Sequence, residues 1–148
     1  AEIRSVYVMF ISMPQIDCSV GKGHEEDKEL FELLNNVMNV TTRELQKFKG
    51  HLRQFIFDDK GLVLIATFGL RGSTSPNLVA ERALPATMVI HNALQNELNV
   101  YNRIGATVGN TYCGVVGGVK RHEYAVMGPS VNLAARLMCS PRNPGILV

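Results

Sequence analysis

The sequence has few cysteines, little net charge and no long hydrophobic run, and each of these shortages excludes a class of protein. Its three cysteines, Cys18, Cys113 and Cys139, are odd in number and have no CxxC spacing, which argues against a disulfide framework and a structural zinc site. They favour a reducing, cytoplasmic setting in which each is a small buried or half-buried side chain. A formal net charge of +2 over 148 residues is too small to indicate binding to nucleic acid or to an anionic membrane.

Membrane spans and two common ligand motifs are also missing. No apolar stretch approaches the roughly 20 residues that cross a bilayer. The segment from Val6 to Met13 has the length of a strand, and its flank is not that of a signal peptide. There is no GxxxxGK[ST] phosphate-binding loop, and the four histidines lack a metal-ligand spacing such as HExxH.

What remains is the composition of one globular domain. Hydrophobic residues make up 46% of the chain and charged residues 19%, far from the composition of a disordered protein. No repeat, low-complexity tract or linker interrupts the chain, so we expect residues 1–148 to form a single domain. Because the chain stops at Val148 on an expected strand, we expect it to be a piece of a longer protein, truncated at its C-terminus.

Hydrophobic periodicity and turn residues predict an alternation of strands and helices. Pro85 is expected to kink the second helix or to move its start, and the glycines of Gly114–Gly118 are expected to form a turn. The predicted elements are, in order, a strand at Ile3–Ser12, a helix from Glu25 to Gly50, strands at His51–Phe57 and Leu62–Phe68, a helix from Ser73 to about Leu98, strands at Arg103–Val108 and Glu123–Met127, a helix from about Ser130 to Cys139, and a strand at Ile146–Val148.

This order predicts an α+β fold with a ferredoxin-like βαββαβ core and an appended strand and helix. Such a core is an antiparallel sheet with two helices on one face. The fold alone does not identify a function, because it supports many.

The most informative stretch runs from Arg103 to Met138. It contains IGATVGNTYCGVVGG followed by RHEYAVMGPSVNLAARLM. These segments resemble the second half of the catalytic domain of class III adenylyl and guanylyl cyclases, and in particular the second cyclase domain of the bicarbonate-responsive, soluble adenylyl cyclases. The second segment matches that family's signature R-x-x-Y-x-hydrophobic-x-G-x-x-V-N-x-A-x-R. The resemblance covers roughly Ser5 to Val148.

The resemblance implies catalytic roles for Asn132 and Arg136. They are spaced i, i+4, so on one helix they project from the same face. By resemblance, the amide orients the ribose and the guanidinium holds the α-phosphate while the ribose 3′-hydroxyl attacks it. Spacing alone would also fit a polar residue near a helix start followed by a solvated arginine.

The base-recognition positions depart from the family pattern. Adenylyl members carry a lysine in the first strand of the hairpin and an aspartate or threonine before the "hydrophobic-x-G", where guanylyl members carry a glutamate and a cysteine. This chain has Gln54 and Ala125 there. Gln54 can still hydrogen-bond a purine edge, but Ala125 leaves only the backbone near Val126 for the base. The choice between ATP and GTP therefore stays open.

The metal-binding positions depart further. Complete sites in the family hold two Mg²⁺ or Mn²⁺ ions with two aspartates, but the first-strand position here is about Ser12. Asp17 lies five residues later, in an expected loop, and is not a substitute. Asp58 and Asp59 are weak candidates, since the turn sequence DDKG explains them better. The resemblance implies that a partner domain supplies the aspartates and holds most of the metal.

Two functions from different classes follow. The first is a cyclase half-domain that acts on ATP or GTP in a head-to-tail pair, with a second domain of the same polypeptide or as a homodimer, and that has little activity alone. The second is a catalytically inactive cyclase homology domain with a regulatory or dimerisation role. An RNA-binding module is disfavoured, because the sequence has no aromatic-basic strand and no basic face.

Overall fold

The computed structural model describes residues 2–58, 61–69, 76–118 and 121–148, with side chains at all of these except 2, 58, 76–78, 112, 114–118 and 121–127. The order of elements confirms the predicted alternation. The elements are β1 (Glu2–Met13), α1 (His24–Lys47), β2 (His51–Asp58), β3 (Gly61–Phe68), α2 (Pro76–Leu98), β4 (Arg103–Gly118), β5 (Arg121–Met127), α3 (Pro129–Cys139) and β6 (Ile146–Leu147).

The strands form one sheet in the order β2-β3-β1-β4-β5, and β6 pairs in parallel with β4. The pairs β2–β3, β3–β1, β1–β4 and β4–β5 are all antiparallel. The first four strands have the order of a ferredoxin-like core, so the predicted fold class is confirmed. β1 is central, with Phe10 paired to Ile65 on one side and to Gly105 on the other.

The main core lies between one face of the sheet and the helices α1 and α2. Because side chains alternate along a strand, every second residue of β1, from Tyr7 to Met13, enters this core. Helix α1 contributes Val37 and Leu45. Helix α2 contributes Ala83, Ala86, Ile90 and Leu94, which are fully buried.

The opposite face of the sheet is covered in part by α3. The other residues of β1 alternate toward it, and Val6 and Val8 form a smaller core cluster with Cys113 of β4 and Ala134 of α3. The appended helix therefore lies across the sheet from α1 and α2. This placement separates the helix that carries the candidate catalytic residues from the main core.

Two details of the sequence prediction were wrong. The glycines of Gly114–Gly118 continue β4, because each pairs with a residue of β5, and the connection between these strands lies at 119–120, outside the described residues. Pro85 lies inside α2, which excludes a displaced helix start, and the alternative expectation of a kink stays a prediction. Cys139, which was expected to be buried or half-buried, is exposed.

Gly105 of β4 lies directly against the backbone of α3. A Cβ atom at this position would lie 2.1 Å from the backbone nitrogen of Met138 and 2.3 Å from the carbonyl oxygen of Ala134. Both atoms belong to the backbone of α3, which cannot move aside as a flexible side chain can. The helix can approach β4 this closely only because residue 105 has no side chain.

We predict that Gly105→Ala lowers the free energy of unfolding by about 1–3 kcal/mol, because the new methyl group must push α3 away from β4. Urea denaturation followed by circular dichroism measures this change. Gly109→Ala in the same strand is the matched control, since its Cβ would meet only the side chain of Ser130, at 3.1 and 3.3 Å. Equal losses of unfolding free energy in the two variants would contradict the close packing of the α3 backbone against Gly105.

Candidate functional site

The candidate site is built on α3, which begins directly after β5. Gly128 precedes the helix with φ of 152°, a conformation that L side chains rarely adopt, and Pro129 occupies the first helical position. The chain thus turns sharply from strand into helix at the Gly128-Pro129 pair. This turn fixes where the first residues of α3 stand on the sheet.

Asn132 and Arg136 are both exposed and lie one turn apart on α3. Ala134 and Met138, which are buried, face the sheet from the opposite side of the helix. Among the described residues, none forms a hydrogen bond or ion pair with the side chain of Asn132 or of Arg136. The helix therefore presents an amide and a guanidinium to the outside, with their donors available to an external group.

Both ends of α3 are hydrogen-bonded to β4. Near the start of the helix, the Thr107 hydroxyl donates to the carbonyl oxygen of Ser130 at 2.6 Å. At the end of the helix, the Arg103 guanidinium donates to the carbonyl oxygen of Met138 at 2.7 Å. Sequence reasoning did not single out Thr107 or Arg103, because no local pattern marks contacts made across 23 and 35 residues.

Gln54 lies on the same face of the sheet as α3. It is exposed on the edge strand β2. A row of paired residues leads from it across the sheet to Gly105 beneath α3, through Ile65 of β3 and Phe10 of β1. Paired residues of neighbouring strands share a face, and three strand spacings give about 14 Å between Gln54 and Gly105. The strip between them consists of the half-buried Phe10 and Ile65, so Gln54 and the exposed residues of α3 border one open surface.

Ala125 and Val126 lie in β5, paired with Gly114 and Cys113 of β4. Their side chains are outside the part of the chain whose side chains are described. In the strand order, β5 and β2 are the two ends, so Ala125 and Gln54 are not neighbours in the hydrogen-bonded ladder. The backbone of β5 leads directly into Gly128 and α3, which links Val126 to the start of the candidate helix.

Of the positions considered for metal binding, Ser12 and Asp17 are the ones whose side chains the structure describes. Ser12 is half-buried near the end of β1 and pairs with Val63 and Arg103. Among all the described residues, no group of three or more His, Cys, Asp or Glu side chains is placed so that it could hold a metal ion. The Asp58 side chain and the whole of Asp59 lie outside what the structure describes, so their part in metal binding stays a prediction.

Asp17 is engaged in its own loop. One carboxylate oxygen accepts hydrogen bonds from the backbone nitrogen of Ser19 at 3.0 Å and from its hydroxyl at 2.6 Å, and the other accepts from Lys22. The Lys22 ammonium, together with the Ser19 donors, holds the pKa of Asp17 well below its usual range. Through these contacts the carboxylate stabilises the loop after β1.

Comparison with known proteins agrees with the geometry. Residues 2–146 match the family model described as the adenylate and guanylate cyclase catalytic domain. Human adenylate cyclase type 10 is 30% identical over 139 residues, which are 93% of this chain but 8% of that protein. The chain therefore spans less than a tenth of the length of that curated relative.

Two solved structures share the fold. The adenylyl cyclase CyaB from P. aeruginosa has a TM-score of 0.77 at 20% identity, covering 98% of this chain and 76% of that chain. The non-canonical dimeric guanylyl cyclase domain of the RhoGC fusion protein from Blastocladiella emersonii has a TM-score of 0.76 at 18% identity, covering 99% of this chain and 80% of that chain. In the described part of this chain, no helix combines the length and the apolar character needed to cross a membrane.

We predict that Asp17→Asn leaves any Mn²⁺ binding by the chain unchanged, because both oxygens of this carboxylate are occupied by Ser19 and Lys22. Titration of Mn²⁺ followed by electron paramagnetic resonance measures the free ion. Asp58→Asn and Asp59→Asn are the comparison variants, since they test the hairpin as the alternative site. Weaker Mn²⁺ binding in Asp17→Asn alone would contradict the structural role of this residue.

Proposed function

Because the chain belongs to the adenylate and guanylate cyclase catalytic domain family, we propose that it is one half of a nucleotidyl cyclase. It contributes Asn132 and Arg136 to a site that it shares with a second cyclase domain. The reaction converts ATP or GTP to the cyclic 3′,5′-nucleotide and pyrophosphate. A cytoplasmic location, where both nucleotides are available, is part of this proposal.

The observation that carries the proposal is the exposed, unengaged pair on α3. In the ring closure, the ribose 3′-oxygen forms a bond to the α-phosphorus, the bond to pyrophosphate breaks, and the hydroxyl proton is released. Negative charge increases on the phosphoryl oxygens, where the Arg136 guanidinium can donate two parallel hydrogen bonds. Asn132, one turn earlier, is at the right spacing to orient the ribose, so that attacking and leaving oxygens are in line.

A partner domain completes the site. The described residues of this chain do not fit a divalent metal, since Ser12 stands at the first-strand position and Asp17 is engaged with Ser19 and Lys22. Mg²⁺ or Mn²⁺, held mainly by the partner, would neutralise charge on the triphosphate. The partner is a second cyclase domain, in the same polypeptide or as a second copy of this chain.

The base is read by Gln54 and by the backbone near Val126. The Gln54 amide borders the same open surface as α3 and can both donate to and accept from a purine edge. At 125 the alanine brings no polar side-chain atom, so discrimination between ATP and GTP rests on few contacts. A weak preference between the two nucleotides is the expected consequence.

We predict that the chain alone has little cyclase activity and that mixing it with an aspartate-bearing cyclase domain restores activity. Cyclic nucleotide formation from ATP and from GTP, with Mn²⁺ present, measures this. In the mixture, Asn132→Ala and Arg136→Ala should each reduce kcat by about 100-fold or more, because each removes a donor used in the transition state. Arg142→Ala, an exposed arginine just after α3, should leave activity unchanged.

Activity of the chain alone would contradict the half-domain proposal and direct attention to Asp58 and Asp59. Inactivity of the mixture, with association of the two domains demonstrated by size-exclusion chromatography, would favour the second function. That function is a catalytically inactive cyclase homology domain with a regulatory or dimerisation role. The serine at 12 and the alanine at 125 are the observations in its favour.

We further predict that Gln54→Lys combined with Ala125→Asp increases the preference of the mixture for ATP over GTP. The double variant introduces the lysine and aspartate that adenylyl members of the family carry. The base edge then has two charged hydrogen-bonding side chains, at 54 and 125, in place of the single amide of Gln54. The ratio of kcat/KM for ATP and GTP should change by about 10-fold or more. An unchanged ratio would show that the base is not bound between these two positions.

A further inference from the structure

The last turn of α3 needs support from outside the helix. Helix α3 has 11 residues, and Arg136 lies in its last turn. The last four carbonyl groups of a helix lack partners within it, and short helices are marginally stable on their own. Without outside partners, the turn that carries Arg136 would fray, and the guanidinium would sample many positions.

Arg103 supplies part of that support. Its Nε and Nη2 atoms donate to the carbonyl oxygen of Met138 at 3.2 and 2.7 Å, and Nη2 also donates to the carbonyl oxygen of Ser140 at 3.1 Å. A guanidinium is planar and presents its donors in a fixed fork, so it holds the two carbonyl groups in one orientation. Its positive charge also lies at the negative end of the helix dipole.

Asn143 gives the last turn of α3 a second outside hydrogen-bond donor. Its Nδ2 atom donates to the carbonyl oxygens of Ile104 and Leu137, both at 3.0 Å, so one amide bridges β4 and the end of α3. Its Oδ1 atom accepts from the backbone nitrogen of Gly145 at 2.7 Å, which fixes the orientation of the amide. We call Arg103 and Asn143 together the α3 clasp.

The strand end that carries the clasp is itself held in place. Next to Arg103, the fully buried Asn102 donates to the carbonyl oxygens of His91 and Val100, both at 3.2 Å, and its Oδ1 lies 2.7 Å from Nδ1 of His91. On the other side, the backbone nitrogen of Ile104 donates to the carbonyl oxygen of Gly145 at 2.7 Å. The start of β4 is therefore tied to α2 and to the C-terminal turn.

We infer that Arg103 and Asn143 are positioning residues that set the approach of Arg136 to the substrate phosphate. The inference rests on the proposed cyclase function. The clasp holds the carbonyl groups of Leu137 and Met138, the two residues that follow Arg136, so it fixes the turn from which the guanidinium projects. Because charge on the phosphoryl oxygens increases in the transition state, a displaced Arg136 lowers kcat more than it weakens nucleotide binding.

Two substitutions loosen the clasp with little change of shape. Arg103→Met keeps the apolar stem and removes the donors, whereas Asn143→Asp keeps the acceptor for Gly145 and removes both donations. The partial replacement is Arg103→Lys, since an ammonium can donate to a carbonyl group but lacks the planar, fixed arrangement of donors with which a guanidinium holds two carbonyl groups. The matched control is Arg142→Met, which removes the same positive charge near the same end of α3. Arg142 is exposed, and among the described residues its side chain forms no hydrogen bond with α3.

The first measurement needs no activity. Backbone hydrogen exchange, followed by NMR at residues 137–140, should be about 10-fold faster or more in Arg103→Met and Asn143→Asp, because carbonyl partners of the last turn are lost. Exchange in α1 should be unchanged, which shows that the domain remains folded. Arg103→Lys should lie between these variants and the wild type, and Arg142→Met should match the wild type.

The second measurement is the cyclase assay in the mixture with the aspartate-bearing domain. Arg103→Met and Asn143→Asp should lower kcat by about 10- to 100-fold, while KM for the nucleotide changes by no more than about twofold. Arg103→Lys should restore part of kcat. A loss that appears in KM alone, a loss equal in Arg142→Met, or unchanged exchange at residues 137–140 would each overturn the inference.

Failure of the proposed function can be told apart from failure of the clasp. If the wild-type mixture is inactive although the domains associate, the cyclase proposal fails, and the positioning role fails with it. The exchange data would then show whether the clasp still orders α3 as a purely structural device. If the mixture is active and the clasp variants keep full kcat, the cyclase function stands and only the positioning role is wrong.

Discussion

The direct contact between the backbone of α3 and β4 at Gly105 is the constraint on which the rest of the site depends. With a Cβ only 2.1 Å from a backbone nitrogen of α3, no residue but glycine fits without displacing the helix. This contact buries Ala134 and Met138 and thereby turns Asn132 and Arg136 outward. The exposure of the candidate catalytic pair is thus a consequence of how closely the other side of α3 packs.

The two faces of the sheet are used differently. One face packs against α1 and α2 and contains the large buried side chains that stabilise the domain, while Phe55 and Phe57 of the edge strand β2 stay exposed on it. The other face carries α3 over β1 and β4 and leaves Phe10 and Ile65 half-buried beside it, with Gln54 at the edge. This face is bordered by Gln54, Asn132 and Arg136, whose side chains have no hydrogen-bond partner among the described residues, and it is consistent with the proposal that the domain shares its site with a second domain.

The ionic contacts with perturbed pKa values lie away from α3. Arg43 of α1 donates to Glu97 of α2 at 3.1 Å and holds the pKa of that carboxyl group below its usual value. Arg43 and Lys47 also contact the buried carboxylate of Glu44. Burial raises the pKa of Tyr7, whose hydroxyl lies 2.9 Å from Thr87 of α2. These contacts join the two large helices to each other and to the sheet, so substitutions on the exposed face of α3 leave them untouched.

The sequence by itself determined the order of elements, the ferredoxin-like core and the pairing of Asn132 with Arg136 on one helix face, because these depend on local periodicity and on spacing along the chain. The metal and base positions at Ser12, Gln54 and Ala125 came from resemblance and stay predictions. Only the tertiary structure decided that α3 lies across the sheet from α1 and α2, that Gly114–Gly118 extend a strand, and that Arg103 caps a helix 35 residues away. Periodicity says which residues share a face, but which face of the sheet a helix covers, and which distant carbonyl group meets a donor, depend on contacts between segments far apart in sequence.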